Sequence, residues 1–130
     1  MSIRILIADD NKDAAESLAI LMSLGDHEVM VVRDGSAAVD AMREWEPDIA
    51  VLDLDMPLMN GFAAALAIRE IRPAVLLIAL SGFLDEANRV RAKAVGFDLS
   101  VVKGTSYRDF RLQLLDLVRE RRSDLLDRLE

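Results

Sequence analysis

Five short apolar runs, each followed by a segment of helical period, set the strongest limit on what this chain can fold into. The runs lie at about Ile3–Ala8, Glu28–Val32, Ile49–Leu52, Val75–Leu80 and Leu99–Val102. They are rich in Ile, Val and Leu and read as strands. The central ones lack apolar–polar alternation, as strands covered by helices on both faces must. Helices fit between them at roughly Asp13–Ser23, Ser36–Trp45, Phe62–Arg69, Asp85–Val95 and Ser106–Arg121. Asn11 and Ser106 stand where N-caps are needed, the second backed by Asp109 three residues on. Strands alternating with helices make βαβ units, so the expected fold is a single three-layer α/β domain on a five-stranded parallel sheet.

Composition narrows the function classes. At 130 residues and 52% hydrophobic, the chain is long enough for one core and too apolar for disorder. It has no cysteine, which removes disulfides, thiolate metal sites and thiol nucleophiles. The longest apolar stretch, Ala74–Leu80, is far short of the ~20 residues a membrane helix needs, and Met1-Ser2-Ile3-Arg4 opens no signal peptide; a cytoplasmic protein without membrane contact is expected. A net charge of −7 works against direct nucleic-acid binding, which draws its affinity from Lys and Arg on phosphates.

The chemistry collects at the ends of the predicted strands. Asp9-Asp10 follows the first, Asp53 ends the third, Ser81-Gly82 follows the fourth and Lys103 follows the fifth. In a right-handed βαβ sheet all these ends share one edge, so the residues converge although they are scattered along the chain. Three carboxylates in one pocket repel one another unless a cation intervenes, and hard oxygen donors of this kind suit Mg²⁺. Such a site is fit to receive a phosphoryl group: Asp53 is the natural nucleophile, Asp9 and Asp10 the natural metal ligands, and Lys103 supplies fixed positive charge.

Taken together these motifs resemble the receiver domain of two-component response regulators, over about Ile3 to Arg121. The matching residues are Asp9-Asp10, Asp53 with Pro57 and Gly61 beyond it, Ser81, and Gly96-Phe97-Asp98 leading to Lys103. The resemblance implies a flavodoxin-like sheet of order 2-1-3-4-5. It implies Asp53 as phosphoacceptor and Mg²⁺ held by Asp9, Asp10, the Asp53 carboxylate and the Asp55 backbone carbonyl. It also implies Lys103 touching the phosphoryl group and Ser81 swinging toward it. The implied partners are a sensor histidine kinase or histidine phosphotransfer protein and an output protein the sequence does not identify. The implied role is a switch that promotes its own phosphorylation and dephosphorylation rather than an enzyme turning over a separate substrate.

Three positions depart from the family pattern. Ser100 stands where members often carry Tyr or Phe, Gly104 follows the lysine where most have proline, and Asp55 puts a further carboxylate two residues after the phosphoacceptor, where it can modulate the acyl phosphate's lifetime. A cis bond before a non-proline residue costs about 2.5–4 kcal/mol, so a trans bond or a looser loop is expected before Gly104.

Two other readings were open. Asp53-Leu54-Asp55 has the Asp-x-Asp pattern of haloacid-dehalogenase-type phosphatases, but there it normally ends the first strand of a larger domain, and here two strands precede it. A degenerate receiver acting only as a binding module would not need the acids, Ser81 and Lys103. The domain is expected over residues 1–121 and a C-terminal helix extension or tail over 122–130. Val118, Leu125 and Leu129 fall at heptad-like spacing that would suit a dimerising coil, against the plainer expectation of a solvated, fraying helix end. His27, the sole histidine, reads as a surface turn residue, and Trp45 as closing the second helix against the body.

Overall fold

A computed structural model describes residues 2–25 and 27–129; Met1, Asp26 and Glu130 lie outside it, so the turn expected around 25–28 and the end of the tail are described only in part. The order is β1 (Ile3–Ala8), α1 (Lys12–Met22), β2 (His27–Val32), α2 (Gly35–Glu44), β3 (Ile49–Asp53), α3 (Gly61–Ile71), β4 (Leu76–Ser81), α4 (Glu86–Ala94), β5 (Leu99–Val102) and α5 (Tyr107–Arg121). A 3-10 turn over Ser123–Leu125 and a short α6 (Leu126–Leu129) follow. The sheet has the order β2-β1-β3-β4-β5, all parallel.

Period-2 side-chain alternation divides each central strand between two cores. Ile3, Ile5 and Ile7 of β1, Ile49 and Val51 of β3, and Leu76 and Ile78 of β4 pack under α1 and α5. Leu6, Ala8, Ala50, Leu52, Leu77 and Ala79 pack under α2, α3 and α4. Burial on both faces is why these runs are apolar throughout, whereas the edge strands β2 and β5 stay half-exposed.

Side chains cap all five long helices at their N-termini: Asn11, Asp34, Asn60, Asp85 and Ser106 accept from the amides of Ala14, Ala37, Ala63, Asn88 and Asp109. Each cap stabilises its helix by about 0.5–2 kcal/mol. Asn11 and Ser106 are legible in the sequence; Asp34, Asn60 and Asp85 are not, because the sequence pattern starts α2 and α3 one residue late and α4 one residue early. Trp45 does close α2: Arg4 stacks over its ring at 5.6 Å and donates to its carbonyl at 2.7 Å.

The end of the chain differs from both expectations. α5 stops at Arg121, Arg122 takes φ −142° and ψ 59°, and the chain turns back. Leu125 and Leu129 are buried against the α1/α5 core rather than presented as a seam or left to fray. Apolar surface that the domain itself covers has no reason to seek a second copy.

Candidate functional site

The carboxyl ends of β1, β3, β4 and β5 bring the sequence's candidates together, as parallel pairing requires. Asp9 and Asp53 are buried at 2% exposure each, Ser81 at 3%, while Asp10 and Asp55 are exposed. Carboxylate oxygens of Asp9, Asp10 and Asp53 lie within 4.8 Å of one another, an arrangement that could hold a metal ion. Lys103 Nζ stands 2.9 Å from Asp53 Oδ2 and 3.3 Å from Asp9 Oδ2. One ammonium among three acids leaves negative charge over, and hard oxygens with a deficit of cation are the donor set Mg²⁺ takes.

The electrostatics follow from that imbalance. Burial pushes the Asp53 carboxyl up from 3.8 to about 6, with the Asp9 charge adding to it, while Lys103 and the Asp55 amide, 3.1 Å from Asp53 Oδ1, pull the other way. Burial pulls the Lys103 ammonium down, but the Asp53 and Asp9 carboxylates outweigh it and hold its pKa above 10.5. Asp53 is therefore a carboxylate poised near neutrality beside a lysine that stays charged.

The backbone sets these positions. Asp9 Oδ1 accepts from the Asn11 amide at 3.0 Å, which turns the chain from β1 into α1. Leu54 N donates to Leu80 O at 2.9 Å and Gly61 N to Leu54 O at 3.1 Å. A Cβ at Gly61 would stand 2.5 Å from the Asp53 carbonyl oxygen, so only glycine permits that closure. Lys103 N donates to Ser81 O at 2.8 Å, joining the ends of β4 and β5. The Ser81 hydroxyl is turned into its own loop, donating to Phe83 O at 2.7 Å and accepting from Phe83 N at 3.2 Å.

At the departures, Ser100 is half-buried on β5 in register with Ala79. No cis peptide occurs among the described residues, so the bond before Gly104 is trans, and Gly104 takes φ +96°, the left-handed region glycine enters freely. Asp55 is exposed, and the acids grouped closely enough to share a metal ion are Asp9, Asp10 and Asp53.

Sequence reasoning missed three features. An apolar groove of about 270 Å³ between α1 and α5, with Leu18, Leu21 and Tyr107 among its walls, opens beside Asp9 and Lys103. The Arg91 guanidinium of α4 lies 3.9 Å from the centre of the Phe62 ring on α3. Gly35 N donates to Met59 O at 3.1 Å. All three are contacts between elements, and no local pattern signals them.

Residues 5–124 match the family model described as the response regulator receiver domain. The chain is 38% identical over 84 residues to the DNA-binding response regulator MtrA of Mycolicibacterium smegmatis, covering 63% of this chain and 37% of that protein. It is 33% identical over 100 residues to the transcriptional regulatory protein PrrA of Mycobacterium tuberculosis, covering 77% and 43%. It thus spans about two fifths of the length of these relatives. Among solved structures, a CheY-like response regulator receiver domain protein from Methanospirillum hungatei superposes with a TM-score of 0.88 at 21% identity, over 95% of this chain and 99% of that one. The receiver domain of NarL from Mycobacterium tuberculosis gives 0.82 at 25%, over 92% and 98%. No described helix is long and apolar enough to cross a membrane.

Proposed function

Because the chain belongs to the response regulator receiver domain family, we propose that Asp53 is the phosphoacceptor of this two-component signalling protein, with Asp9, Asp10 and Lys103 assembling its site. The donor is a phosphohistidine of a sensor kinase or phosphotransfer protein. An Asp53 oxygen forms a bond to phosphorus as the phosphorus–nitrogen bond breaks; the electron pair leaves on the imidazole, which takes up a proton, and Asp53 becomes an acyl phosphate. Hydrolysis reverses the charge: water attacks phosphorus, the bond to the Asp53 oxygen breaks, and inorganic phosphate leaves with the carboxylate restored.

The observation that carries this reading is the Lys103 ammonium 2.9 Å from a buried Asp53 beside two further acids. Asp9, Asp10, the Asp53 carboxylate and the Asp55 backbone carbonyl are the residues that would hold Mg²⁺, which supplies charge neutralisation for the transferred oxygens. Lys103 exchanges its contact with the Asp53 carboxylate for one with the phosphoryl oxygens. Ser81 leaves the Phe83 carbonyl and donates its hydroxyl to the same group. Asp55, with its carboxylate at the rim, tunes how readily water reaches phosphorus.

Output then passes by protein contact. MtrA is described as DNA-binding, but the matched stretch is about two fifths of it, and at net charge −7 this chain makes no direct nucleic-acid contact of its own in this reading. Incubation with acetyl phosphate and Mg²⁺, followed by intact-protein mass spectrometry, should add one phosphoryl group to the wild type and none to Asp53→Asn. Equal labelling of the two proteins would overturn the assignment.

A further inference from the structure

Gly35 opens α2, a helix that contributes no side chain to the site, yet its backbone lies directly against the phosphoacceptor loop. Its amide donates to Met59 O at 3.1 Å. A Cβ placed on it would stand 2.1 Å from that oxygen and 2.9 Å from the carbonyl carbon, and both are backbone atoms that cannot step aside. Gly35 is not among the residues with positive φ, so glycine is required here for approach and not for conformation.

The segment it holds is anchored on either side by buried Met56 and by Met59 packed against the same core, while Leu58 between them turns outward. Leu58 sits at φ +66°, a region non-glycine residues seldom occupy, and its side chain is 88% exposed, so packing does not keep it there. Met59 N donates to Pro57 O at 2.7 Å across this turn. The ends of the loop are secured separately, through Leu54 and Gly61 as above and through Asn60, which caps α3. A turn of this kind persists only where its surroundings hold it.

We propose that Gly35 is a positioning residue for phosphoryl transfer: its amide, admitted by the missing side chain, pins the Met59 carbonyl, fixes the Pro57–Met59 turn, and so places the Asp55 backbone. The inference rests on the phosphoacceptor reading, in which the Asp55 carbonyl is a metal ligand. It makes α2, through its first residue, part of the site. Contacts that orient a ligand typically cost about 10–100-fold in metal affinity when lost, and Gly35 acts at one remove from them, through the Met59 carbonyl.

The test compares Gly35→Ala with Met59→Ala, which trims a half-buried side chain but keeps the carbonyl. Calorimetric Mg²⁺ titration of folded protein should show Gly35→Ala weakened by about tenfold or more, and Met59→Ala close to wild type. A merely structural glycine would lower the melting temperature and leave metal affinity alone, which would overturn the proposal. Should Gly35→Ala not fold, the wild type still decides: in a Mg²⁺ titration followed by NMR, the Gly35 amide should shift with the same saturation as the Asp10 amide, while Gly96 at the opposite edge stays still. A silent Gly35 amide overturns the proposal with the phosphoacceptor reading intact; a wild type that neither binds Mg²⁺ nor takes a phosphoryl group overturns both.

Discussion

Asp53 is the residue on which stability and function pull in opposite directions. Its folded pKa, about 6, lies above its ordinary 3.8 because burial penalises the carboxylate, so the folded state holds the proton more tightly than the unfolded one. Stability from that proton is fully present below pH 4 and is lost as the pH rises through about 6. Without Mg²⁺, the wild type should therefore lose on the order of 1–3 kcal/mol between those limits relative to Asp53→Asn, which has no proton to release. Urea titrations of the two proteins across that range check it, and parallel curves would refute it. At the same site, Asp10→Ala should weaken Mg²⁺ binding, since Asp10 is the exposed member of the acid cluster and gives up little folding energy when replaced. An unchanged metal titration would remove it from the ligand set. These residues were legible because each ends an apolar run, and a parallel sheet turns that one-dimensional fact into proximity; Gly35 was not, because its role depends on where a distant carbonyl falls.

Among the elements, α4 is held most lightly. Ala92 is its one buried residue, and beyond the Asp85 cap it leans on the stack of Arg91 over Phe62, the second residue of α3 and so close to the phosphoacceptor loop. A cation–π contact of this kind contributes about 0.5–2 kcal/mol, enough to govern a helix with so little else. Arg91→Ala should speed amide exchange across Glu86–Ala94 while leaving the other helices and the melting temperature nearly unchanged; unaltered exchange in α4 would show that the stack holds nothing. The sequence placed α4 to within a residue but could not show its weak attachment, which follows from its mostly exposed surface and from a contact made across two helices. In the proposed switch, with Ser100 in place of a ring, the route is from Ser81 through the Gly82–Asp85 loop into this helix. Ser81→Ala should thus blunt the backbone NMR changes in residues 82–94 on adding beryllofluoride and Mg²⁺, and Ser100→Ala should leave them; the reverse pattern would exclude that route.

At the scale of the molecule, the two edges of the sheet do different work: the carboxyl edge gathers acids for chemistry, and the amino edge is fastened by arginines. Arg69 donates to Val75 O at 2.6 Å, Gly96 O at 2.5 Å and Asp98 Oδ2 at 2.9 Å, while Arg121 takes the other Asp98 oxygen at 2.7 Å. These cations stand at the C-terminal ends of α3 and α5, where the helix dipole favours them, and Arg69 reaches carbonyls of the loops that follow α3 and α4. The tail belongs to this fastening. Arg122 grips Asp124 through two bonds of 2.9 Å and donates to Ala74 O at 2.9 Å, and Arg111 donates to Leu129 O at 3.0 Å. Neither the heptad coil nor the plainer fraying end fits these leucines, because the same spacing serves a chain that doubles back on its own helix; which surface a leucine buries is decided by tertiary geometry and not by period. Leu125 has no exposed surface, so Leu125→Ala should open a cavity and lower the unfolding free energy by about 2–5 kcal/mol, whereas Leu24→Ala, at a residue 76% exposed, should change it by no more than about 0.5 kcal/mol. Guanidinium titrations of the three proteins measure this, with equal slopes required so that the shift reports stability alone. Phosphorylation of folded Leu125→Ala by acetyl phosphate should match the wild type, since Asp53 lies at the other edge. A Leu125→Ala protein as stable as Leu24→Ala would mean that Ser123–Leu129 is an appendage and that the domain closes at Arg121.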